Sequence, residues 1–430
     1  MKRGRFKKVA ATVQNNKYEK LIERENELYK RASDIRSEFA RDFTRILHST
    51  AYSRLKHKTQ VFFNIDNDHI CTRMEHVQHV ESVSSTIATY IGLDSELTRA
   101  IAMGHDLGHA PFGHCGEEII NEIMNRKIFI STTPQKLFWH EKNGVRFVDK
   151  IELLKNKDDI YTNLKLTYAV RDGIISHCGE IDENGIKPRD DFLDLEKQFT
   201  EPNKYNPITW EGCVVKFADK IAYLGRDIDD AQRLNFLNET TLKELELEPM
   251  KIDSNVSTNS TVIMHDLIID VCNNSSPDIG ICLSEEGYKN LKKIKEFNSD
   301  HIYNNDRLTN FKKYADLVLN SIFDILAETY NGGDFYKKLK QYKSYYPNLI
   351  TDFISFIIQY SSTEVVNKLK ESLIHIDFDE KNYENEKIYN SLSSKKSYFL
   401  AIIDFISGMT DRYAVKLYNE LISYNKFDLF

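Results

Sequence analysis

The sequence predicts an all-α fold, and three observations lead to this prediction. Only 8 prolines and 17 glycines occur in 430 residues, and no proline lies between Pro277 and Pro347. Apolar residues recur at steps of three and four along much of the chain, which is the period of an amphipathic helix. The composition, with 41% apolar and 29% charged residues, is that of a soluble globular protein.

Helical patterns follow one another through the first half of the chain. A charged, core-facing helix is predicted over residues 18–47, and an amphipathic helix over 72–92. A third helix, over 95–106, begins at a capping aspartate or serine. Two apolar helices follow, over about 145–154 and 163–177.

One segment favours strands over helix. Residues 49–69 contain the β-branched and aromatic run Val61-Phe-Phe, followed by the turn signal Asn64-Ile-Asp-Asn-Asp. This pattern allows a short β-hairpin within the otherwise helical fold.

The distribution of histidine and of polar residues divides the chain into four regions. Nine of the 13 histidines lie between residues 48 and 140, whereas the chain beyond 245 is rich in Lys, Asn and Tyr. We expect the chemistry in the first half and an accessory role for the later helices. The expected regions are a basic N-terminal tail and lead-in helix (1–30), a chemistry-bearing core (31–245), an accessory helical region (246–395) and a C-terminal helix packing back on the core (396–430).

Charge and cysteine content exclude several classes of protein. The net charge of −7 argues against a general nucleic-acid coat, which would carry a basic excess. The six cysteines form no C-x-x-C pair, which is typical of a reducing cytoplasm. No apolar run follows the five basic residues of 1–8, so we expect a mobile tail there rather than a secretory signal. Neither a membrane span nor a P-loop is predicted.

Residues 104–117, Gly-His-Asp-Leu-Gly-His-Ala-Pro-Phe-Gly-His-Cys-Gly-Glu, concentrate ionisable groups at the end of a helix. Three histidines, an aspartate and a glutamate lie in this stretch, and Pro111 and Gly113 stop the helix there. The apolar run before it would carry these groups into a core, where unpaired ionisable side chains cost several kcal/mol. A metal site therefore explains the cluster better than a solvated helix end.

Four side chains are candidate ligands of one metal ion. A mixed nitrogen and oxygen site needs imidazoles and carboxylates from several helices. We expect His76 from one helix, His105 and Asp106 from the next, and Asp219 from a later one. Asp219 is the weakest by spacing, but it lies in an apolar stretch where an unpaired aspartate would be costly. This donor set suits one divalent ion, which can be Mn, Mg, Fe, Co, Ni or Zn.

This order of ligands, a single His, then His-Asp, then a distant Asp, resembles the HD-domain metal phosphohydrolases. More narrowly, the chain resembles the deoxyguanosine triphosphate triphosphohydrolase family, which includes the mammalian dNTP triphosphohydrolase with an HD domain. The resemblance covers about residues 35–245 and 397–415 but not 246–395, and it implies an all-α HD-domain core. The blocks that carry it are Arg45-Ile-Leu-His-Ser-Thr-Ala-Tyr-Ser-Arg-Leu-Lys-His-Lys-Thr-Gln-Val, Thr72-Arg-Met-Glu-His, residues 104–117, Phe138-Trp-His-Glu-Lys-Asn, Ala218-Asp-Lys-Ile-Ala-Tyr and Gly408-Met-Thr-Asp-Arg-Tyr-Ala.

The resemblance implies cleavage of a deoxynucleoside triphosphate at the α-phosphorus, which gives a deoxynucleoside and inorganic triphosphate. It also implies a catalytic pair, histidines beside the α-phosphate, basic groups on phosphate oxygens and a pocket that closes around the sugar. By position in the motifs, His114 with Glu117 would be the catalytic pair, and His109 and His140 would lie beside the α-phosphate. Arg73 and Lys220 would meet phosphate oxygens. Tyr223 and Asp227 would close around the sugar, with Gln60 at its other side.

The residue chemistry agrees with these roles. Phosphoryl transfer needs positioning and charge neutralisation, which a divalent metal and an arginine provide. Asp219, Tyr223 and Asp227 are spaced by four and share one helix face. A tyrosine ring under the sugar leaves little room for a 2′-hydroxyl, which predicts a preference for deoxyribose.

Several alternatives stay open at this point. The chain could be another HD-domain nucleotide phosphohydrolase, or a non-catalytic protein that binds nucleotides or single-stranded nucleic acid on the same fold. The resemblance also implies homo-oligomers and, in some members, a nucleotide effector; single-stranded DNA is a further candidate partner. His48, His57, His69 and His177 have no evident partner, and a structural role is expected for each.

Overall fold

The fold is given by a computed structural model of the chain. The residues that the structure describes are 3–63, 67, 69–130, 133, 135–178, 183–242, 244–245, 247, 260–372 and 378–423. Helices dominate this part of the chain, which confirms the all-α prediction. A single small sheet pairs β1 (Leu153–Lys155) with β2 (Tyr161–Asn163) in antiparallel register.

The α-helices alternate with short 3₁₀ and π segments. Those of the first half are α1 (Tyr18–Leu21), α2 (Glu38–Leu47), α3 (Thr50–Arg54), α4 (Arg73–Ile91), α5 (Ser95–Gly104), α6 (Gly113–Ile123), α7 (His140–Arg146), α8 (Tyr168–Ser176), α9 (Trp210–Arg233) and α10 (Glu239–Leu242). Those of the second half are α11 (Ser260–Asn274), α12 (Glu285–Asn298), α13 (Asp306–Glu328), α14 (Phe335–Lys343), α15 (Pro347–Tyr360), α16 (Thr363–Ser372), α17 (Lys395–Ser407) and α18 (Asp411–Ile422). The π segments are Met124–Phe129, Phe147–Ile151 and Ser299–Tyr303, and the 3₁₀ segments are Leu55–His57 and Glu380–Asn382.

Four helices form the centre of the first half. Helices α4, α5 and α9 pack against one another, and α8 contacts both α5 and α9. A capping box between Thr72 and Glu75 starts α4, and Gly92 ends it in the left-handed region at φ 90°. The buried faces of α4 and α9 are mainly apolar, and close packing holds the polar side chains among them in fixed positions.

The hairpin expected within 49–69 is wrong for the residues described there. Residues 50–57 form α3 and a 3₁₀ turn, and the sheet lies instead at 153–163, between the two helices predicted over about 145–154 and 163–177. Ser49 caps α3, and the buried carboxylate of Glu152 accepts hydrogen bonds from the amide of Ala51 and the hydroxyl of Thr50. These tertiary contacts outweigh the local β-propensity.

The long helix expected over 18–47 is also wrong. The chain is helical only in α1 and α2, and Ser37 caps the second of these. Between them, the Arg24 guanidinium forms ion pairs with the carboxylates of Glu38 and the fully buried Asp42, both on α2. The charged residues of this stretch therefore make tertiary ion pairs rather than covering a continuous helix face.

The N-terminal residues from 3 onward do not behave as a mobile tail. Backbone amides of Gly4 and Phe6 donate to carbonyls at the end of α4, at 3.0 and 2.8 Å. The Phe6 ring is fully buried against Trp210, and the Arg5 guanidinium donates to the Asn273 carbonyl at 3.0 Å. Packing of one aromatic ring thus fixes a segment whose charge alone suggested solvent exposure.

The C-terminal end forms two helices where one was expected. Helix α17 stops at Ser407, and Thr410 caps α18, so the break falls at Gly408. Both helices contact α13, and Asp404 of α17 forms an ion pair with Arg146 of α7. The boundaries of the four expected regions stay predictions, and residues 424–430 lie outside the described part. No helix among the described residues is long and apolar enough to cross a membrane.

Candidate active site

One cavity of about 440 Å³ collects most of the side chains that the sequence singled out. It lies where α4, α9 and the segment from α5 to α6 meet the accessory helices. The predicted site residues that line it are Gln60, Arg73, His76, Asp106, His109, His114, His140, Asp219, Tyr223 and Asp227. His105 and Glu117 lie directly behind this lining, in contact with His76 and His140 respectively, whereas Lys220 is buried beside Phe217 on α9.

Three of the four predicted metal ligands, His76, His105 and Asp219, have donor atoms within 4.8 Å of one another, and the fourth, Asp106, lies next to His105. The Nε2 atom of His76 lies 3.0 Å from Oδ1 of Asp219. The Nε2 atom of His105 lies 3.4 Å from the same atom of His76, and 3.5 and 3.8 Å from carboxylate oxygens of Asp106 and Asp219. Nitrogen and oxygen donors this close together fit a divalent cation, since without one the aspartates and histidines would crowd each other in a buried place.

Backbone contacts orient one of these ligands. Nδ1 of His105 lies 2.6 Å from the carbonyl of Ala102, so Nδ1 carries the hydrogen and Nε2 presents its lone pair to the group. This is the usual arrangement for a metal-binding histidine, in which the second ring nitrogen is tied to a backbone acceptor.

The electrostatics of the group favour a positive charge within it. Burial disfavours both charged partners, but the hydrogen bond between Asp219 and His76 lowers the pKa of Asp219 well below its usual range and raises the pKa of His76. The carboxylate of Asp106 is also kept ionised, because His109, His105 and Arg73 outweigh its burial. A bound cation would take the place of the proton that these groups share.

A second cluster of histidines lies beside the first. The rings of His109 and His140 stack at 3.8 Å between centroids, and His114 meets both edge-on at 5.3 and 5.4 Å. Oε2 of Glu117 lies 3.1 Å from Nδ1 of His140 but 3.9 Å from Nδ1 of His114. In this conformation Glu117 therefore orients His140 directly, and the expected pairing with His114 stays a prediction.

The histidines of this cluster differ in charge and exposure. Burial, together with Arg73 for His109 and with His114 for His140, lowers the pKa of both rings well below the usual value. The Nε2 atom of His109 has no hydrogen-bond partner among the described residues. His114 is the exposed member, with 58% of its side chain accessible. It is thus the one placed to exchange protons with solvent.

Close backbone contacts fix the loop between α5 and α6 against α7. A Cβ atom on Gly108 would lie 2.0 Å from the carbonyl oxygen of His140, so only glycine allows this approach. The Asn143 amide donates to the Gly108 carbonyl at 2.7 Å. The two histidines that stack are therefore held by the backbones that carry them.

Arg73 joins the two clusters. Its guanidinium is buried, and Nη1 donates to Oδ2 of Asp106 at 3.0 Å. Its Nε atom and Oε1 of Gln60 are buried without a hydrogen-bond partner among the described residues. Polar atoms left unsatisfied at a cavity wall indicate that a ligand completes their hydrogen bonds.

Residues of the accessory region complete the cavity wall. Tyr303 donates its hydroxyl hydrogen to Oδ2 of Asp227 at 2.5 Å, and burial raises the pKa of Asp227 to about 7. Lys295, Leu308 and Lys312 also line the cavity. The sequence analysis did not predict Tyr303, Lys295, Leu308 or Lys312, because the accessory region carries no motif that the resemblance could match.

Comparison with known proteins places this geometry in a family. The HD domain family model matches residues 73–224, which run from the start of α4 into α9 and include all four predicted metal ligands. A deoxyguanosinetriphosphate triphosphohydrolase-like protein from Clostridium tetani is 33% identical over 328 residues, covering 75% of this chain and 82% of the relative.

The chain belongs to this HD-domain family of deoxyguanosinetriphosphate triphosphohydrolase-like proteins. A relative of the same name from Caldanaerobacter subterraneus is 30% identical over 388 residues, 90% of this chain and 86% of its own. Another relative of this name, from Rickettsia felis, is 29% identical over 420 residues, which cover 93% of this chain and 95% of the relative. The family resemblance drawn from the motifs is thereby confirmed, and the HD-domain assignment supports a hydrolase whose His and Asp clusters suit a divalent metal.

Proposed function

We propose that this protein hydrolyses deoxynucleoside triphosphates, dGTP among them, at the α-phosphorus and releases a deoxynucleoside and inorganic triphosphate. The observation that carries the proposal is the meeting, in one cavity, of a metal-binding set, a histidine cluster and a tyrosine–aspartate pair. Each of the three groups suits one part of such a substrate: the phosphates, the scissile bond and the sugar.

His76, His105, Asp106 and Asp219 would hold the divalent cation. That ion, which can be Mn, Mg, Fe, Co, Ni or Zn, supplies charge neutralisation at the phosphate and lowers the pKa of bound water. The pairing of Arg73 with Asp106 places a guanidinium next to this charge. Arg73 lines the cavity, and its guanidinium would pair with a phosphate oxygen, where planar geometry and permanent charge make arginine effective.

Two lysines suit the remaining phosphates. Lys312 lines the cavity from α13, on the side of His114, and Lys295 lines it from α12. Lys220 keeps the phosphate role implied by the family motif, although it does not line the cavity in this conformation. A triphosphate chain would thus run from the metal group toward the accessory helices.

His114 supplies the proton for the leaving group. Its exposure lets the imidazole regain a proton from solvent after each turnover, as a general acid must. The buried His109 and His140 are held neutral, and Nδ1 of each ring faces a carboxylate oxygen, of Asp106 at 3.0 Å and of Glu117 at 3.1 Å. The two rings would line the α-phosphate without adding charge. Glu117 fixes the ring of His140 and, with a small ring rotation, that of His114.

Tyr223 and Asp227 would hold the sugar. They follow Asp219 on the same face of α9, so the sugar lies one and two helical turns from the metal group. Asp227 is already fixed by Tyr303, and its second oxygen is left for a sugar hydroxyl. Gln60 offers an unsatisfied Oε1 from the opposite wall.

The experiment that tests the proposal separates the phosphate products. Purified protein is incubated with each of the four dNTPs and with GTP, with and without Mn²⁺ or Mg²⁺, and the products are resolved by ion chromatography. Inorganic triphosphate and deoxynucleoside are the expected products, and a His114→Asn variant should abolish them. Pyrophosphate with monophosphate, or phosphate with diphosphate, would instead identify another HD-domain phosphohydrolase. Binding of nucleotide without turnover would identify a non-catalytic binding protein.

Partners other than substrate belong to the same proposal. We expect homo-oligomers, which size-exclusion chromatography with light scattering measures directly. Turnover of dNTP mixtures that exceeds the sum for single dNTPs would identify a nucleotide effector. Inhibition or stimulation by single-stranded DNA tests the remaining partner.

A further inference from the structure

His177 is a histidine of the cavity wall that neither the motifs nor the proposed function uses. It follows α8 directly, has 1% of its surface exposed and lines the cavity. Its Nδ1 atom lies 2.7 Å from the carbonyl oxygen of Ile174. Because a carbonyl oxygen only accepts, Nδ1 carries the hydrogen and the lone pair is on Nε2.

The position of His177 connects the two clusters. Its ring centroid lies 5.0 Å from that of His105 and 5.4 Å from that of His140. A ring nitrogen of His177 lies within 4.8 Å of donor atoms of His105 and Asp106, and a separate group of the same spread joins it to His140 and Glu141. Among the described residues no hydrogen bond joins His177 to these groups, and donor atoms within 4.8 Å of one another can be bridged by one water molecule.

The chemistry of Nε2 restricts what it can bind. With Nδ1–H bound to the Ile174 carbonyl, the buried ring presents Nε2 to the cavity as an acceptor. No described residue donates a hydrogen bond to it. Phosphate oxygens are themselves acceptors and would be repelled by its lone pair, whereas a water molecule donates. A buried water needs two to four polar partners, which this corner of the cavity offers.

We propose that His177 positions the attacking water by accepting a hydrogen bond at Nε2, between the metal-binding group and the His109–His140 stack. The inference rests on the proposed function. In the step, the water oxygen forms a bond to the α-phosphorus while the bond from phosphorus to the 5′ oxygen breaks. His114 gives its proton to the 5′ oxygen and regains one from solvent, and the proton lost by the water passes to solvent. His177 orients the water, and its own protonation and bonding are the same before and after the step.

Two substitutions separate this role from a structural one. In His177→Asn the side-chain amide can still donate to the Ile174 carbonyl, but nothing reaches the position of Nε2. In His177→Gln the amide reaches that position and can accept from the water. We expect the asparagine variant to lose kcat by about 100-fold, the typical cost of a misplaced reacting group, with KM within about twofold. The glutamine variant should recover a large part of that loss.

The readouts include two that do not depend on turnover. Metal content by mass spectrometry and the midpoint of thermal unfolding should match the wild type in both variants. The exposed His48, which is not among the residues that line the cavity, provides the matched control His48→Asn. The inference is overturned if His177→Asn retains kcat, if the loss falls on KM, or if bound metal disappears, which would make His177 a ligand. It is also overturned if the glutamine variant is as inactive as the asparagine variant. A wild type that releases no triphosphate overturns the proposed function and this inference together, whereas an active wild type isolates the result for His177.

Discussion

Asp219 brings a carboxylate from α9 into a group whose other members come from α4 and α5. Its Oδ1 atom lies within 4 Å of ring nitrogens of both His76 and His105. The apolar residues around it on α9 are fully buried, so this carboxylate has few other ways to be stabilised. Metal binding should therefore depend on Asp219 more steeply than on an aspartate of the same helix that lies outside the cavity lining.

The substitution Asp219→Asn tests this dependence. The amide keeps the size of the side chain but removes the negative charge, so we expect bound divalent metal to fall below stoichiometric and triphosphate release to drop by about 100-fold or more. Metal content and activity are measured on the same preparation. Asp229→Asn, on the same helix but outside the cavity lining, should leave both unchanged. Full metal occupancy in the Asp219 variant would remove this residue from the ligand set.

Tyr223 is the residue expected to discriminate against ribonucleotides. It is half-buried at the cavity wall, one helical turn beyond Asp219. Removing its ring in Tyr223→Ala should open space for a 2′-hydroxyl and reduce the ratio of kcat/KM for dGTP over GTP by about tenfold or more. Tyr223→Phe keeps the ring and should preserve the ratio. Equal discrimination in the alanine variant and the wild type would show that another group excludes the hydroxyl.

Individual residues were predictable where a short motif carried them. His105, Asp106 and His109 lie within a few positions of one another, so the helix end that holds one holds all three. His177, Tyr303 and Lys312 were missed because their partners are distant in the chain. Local spacing contains no information about which remote helix closes a cavity, and a buried lone histidine has the same local pattern whether or not it faces one.

The C-terminal helix α18 holds the loop that carries His109. Its first residue, Asp411, accepts hydrogen bonds at Oδ2 from the amide and hydroxyl of Thr59, at 3.0 and 2.7 Å. Its Oδ1 accepts from the amide of Phe112 at 2.9 Å, where the backbone is in the left-handed region at φ 65°. Nearby, buried Lys58 donates to the carbonyls of His109 and Ser407. Two segments far apart in sequence, 58–59 and 407–411, thus hold the loop that carries His109.

The substitution Asp411→Asn weakens the hydrogen bonds of this side chain to Thr59 and Phe112 without changing its size. Asparagine has one acceptor oxygen, so either Thr59 or Phe112 loses its partner, and an unsatisfied buried amide costs about 1–3 kcal/mol. We expect kcat to fall by about tenfold to 100-fold through displacement of His109, with bound metal retained. Steady-state kinetics and metal analysis measure the two effects. The variant of its exposed neighbour, Arg412→Gln, should change neither kcat nor bound metal. Loss of metal in Asp411→Asn would mean that the hydrogen bonds of Asp411 support the metal ligands instead.

Elements were predicted best where one face is continuously apolar. Helices α4 and α5 lie close to their expected bounds, 72–92 and 95–106, because burial of that face decides the structure. The errors fall on segments 18–47 and 49–63, where buried charges such as Asp42 and Glu152 make the decisive contacts. A charged residue in a sequence is normally taken as exposed. The apolar pattern therefore cannot predict segments whose structure depends on buried ion pairs and capped turns.

At the scale of the molecule, the expected regions share their cores. Helices α11 and α12 of the accessory region pack on α9, and α13 packs on α6. The N-terminal segment is tied to the same centre by Glu211, which is fully buried at the start of α9. Its Oε1 atom accepts from the amides of Ala11 and Asp94, both at 2.9 Å. One carboxyl group therefore joins the N-terminal segment, the start of α5 and α9.

This carboxyl group makes the stability of the fold depend on pH. Burial raises the pKa of Glu211 to about 7, against roughly 4.3 for an unfolded glutamate. Between these values the folded protein holds a proton that the unfolded chain releases. The free energy of unfolding contributed by this group is therefore complete below about pH 4, declines as the pH rises and is lost above about pH 7.

Glu211→Gln should remove that decline, because glutamine keeps the accepting oxygen and stays neutral throughout. From about pH 5 to about pH 8 we expect the wild type to lose about 2–3 kcal/mol more of its free energy of unfolding than the variant, as measured by urea unfolding. Glu371→Gln, on the exposed face of α16, should follow the wild type. Parallel pH profiles for the wild type and Glu211→Gln would mean that the buried group remains ionised. The joint between the N-terminal segment and α9 would then be held by a carboxylate whose two amide donors outweigh its burial.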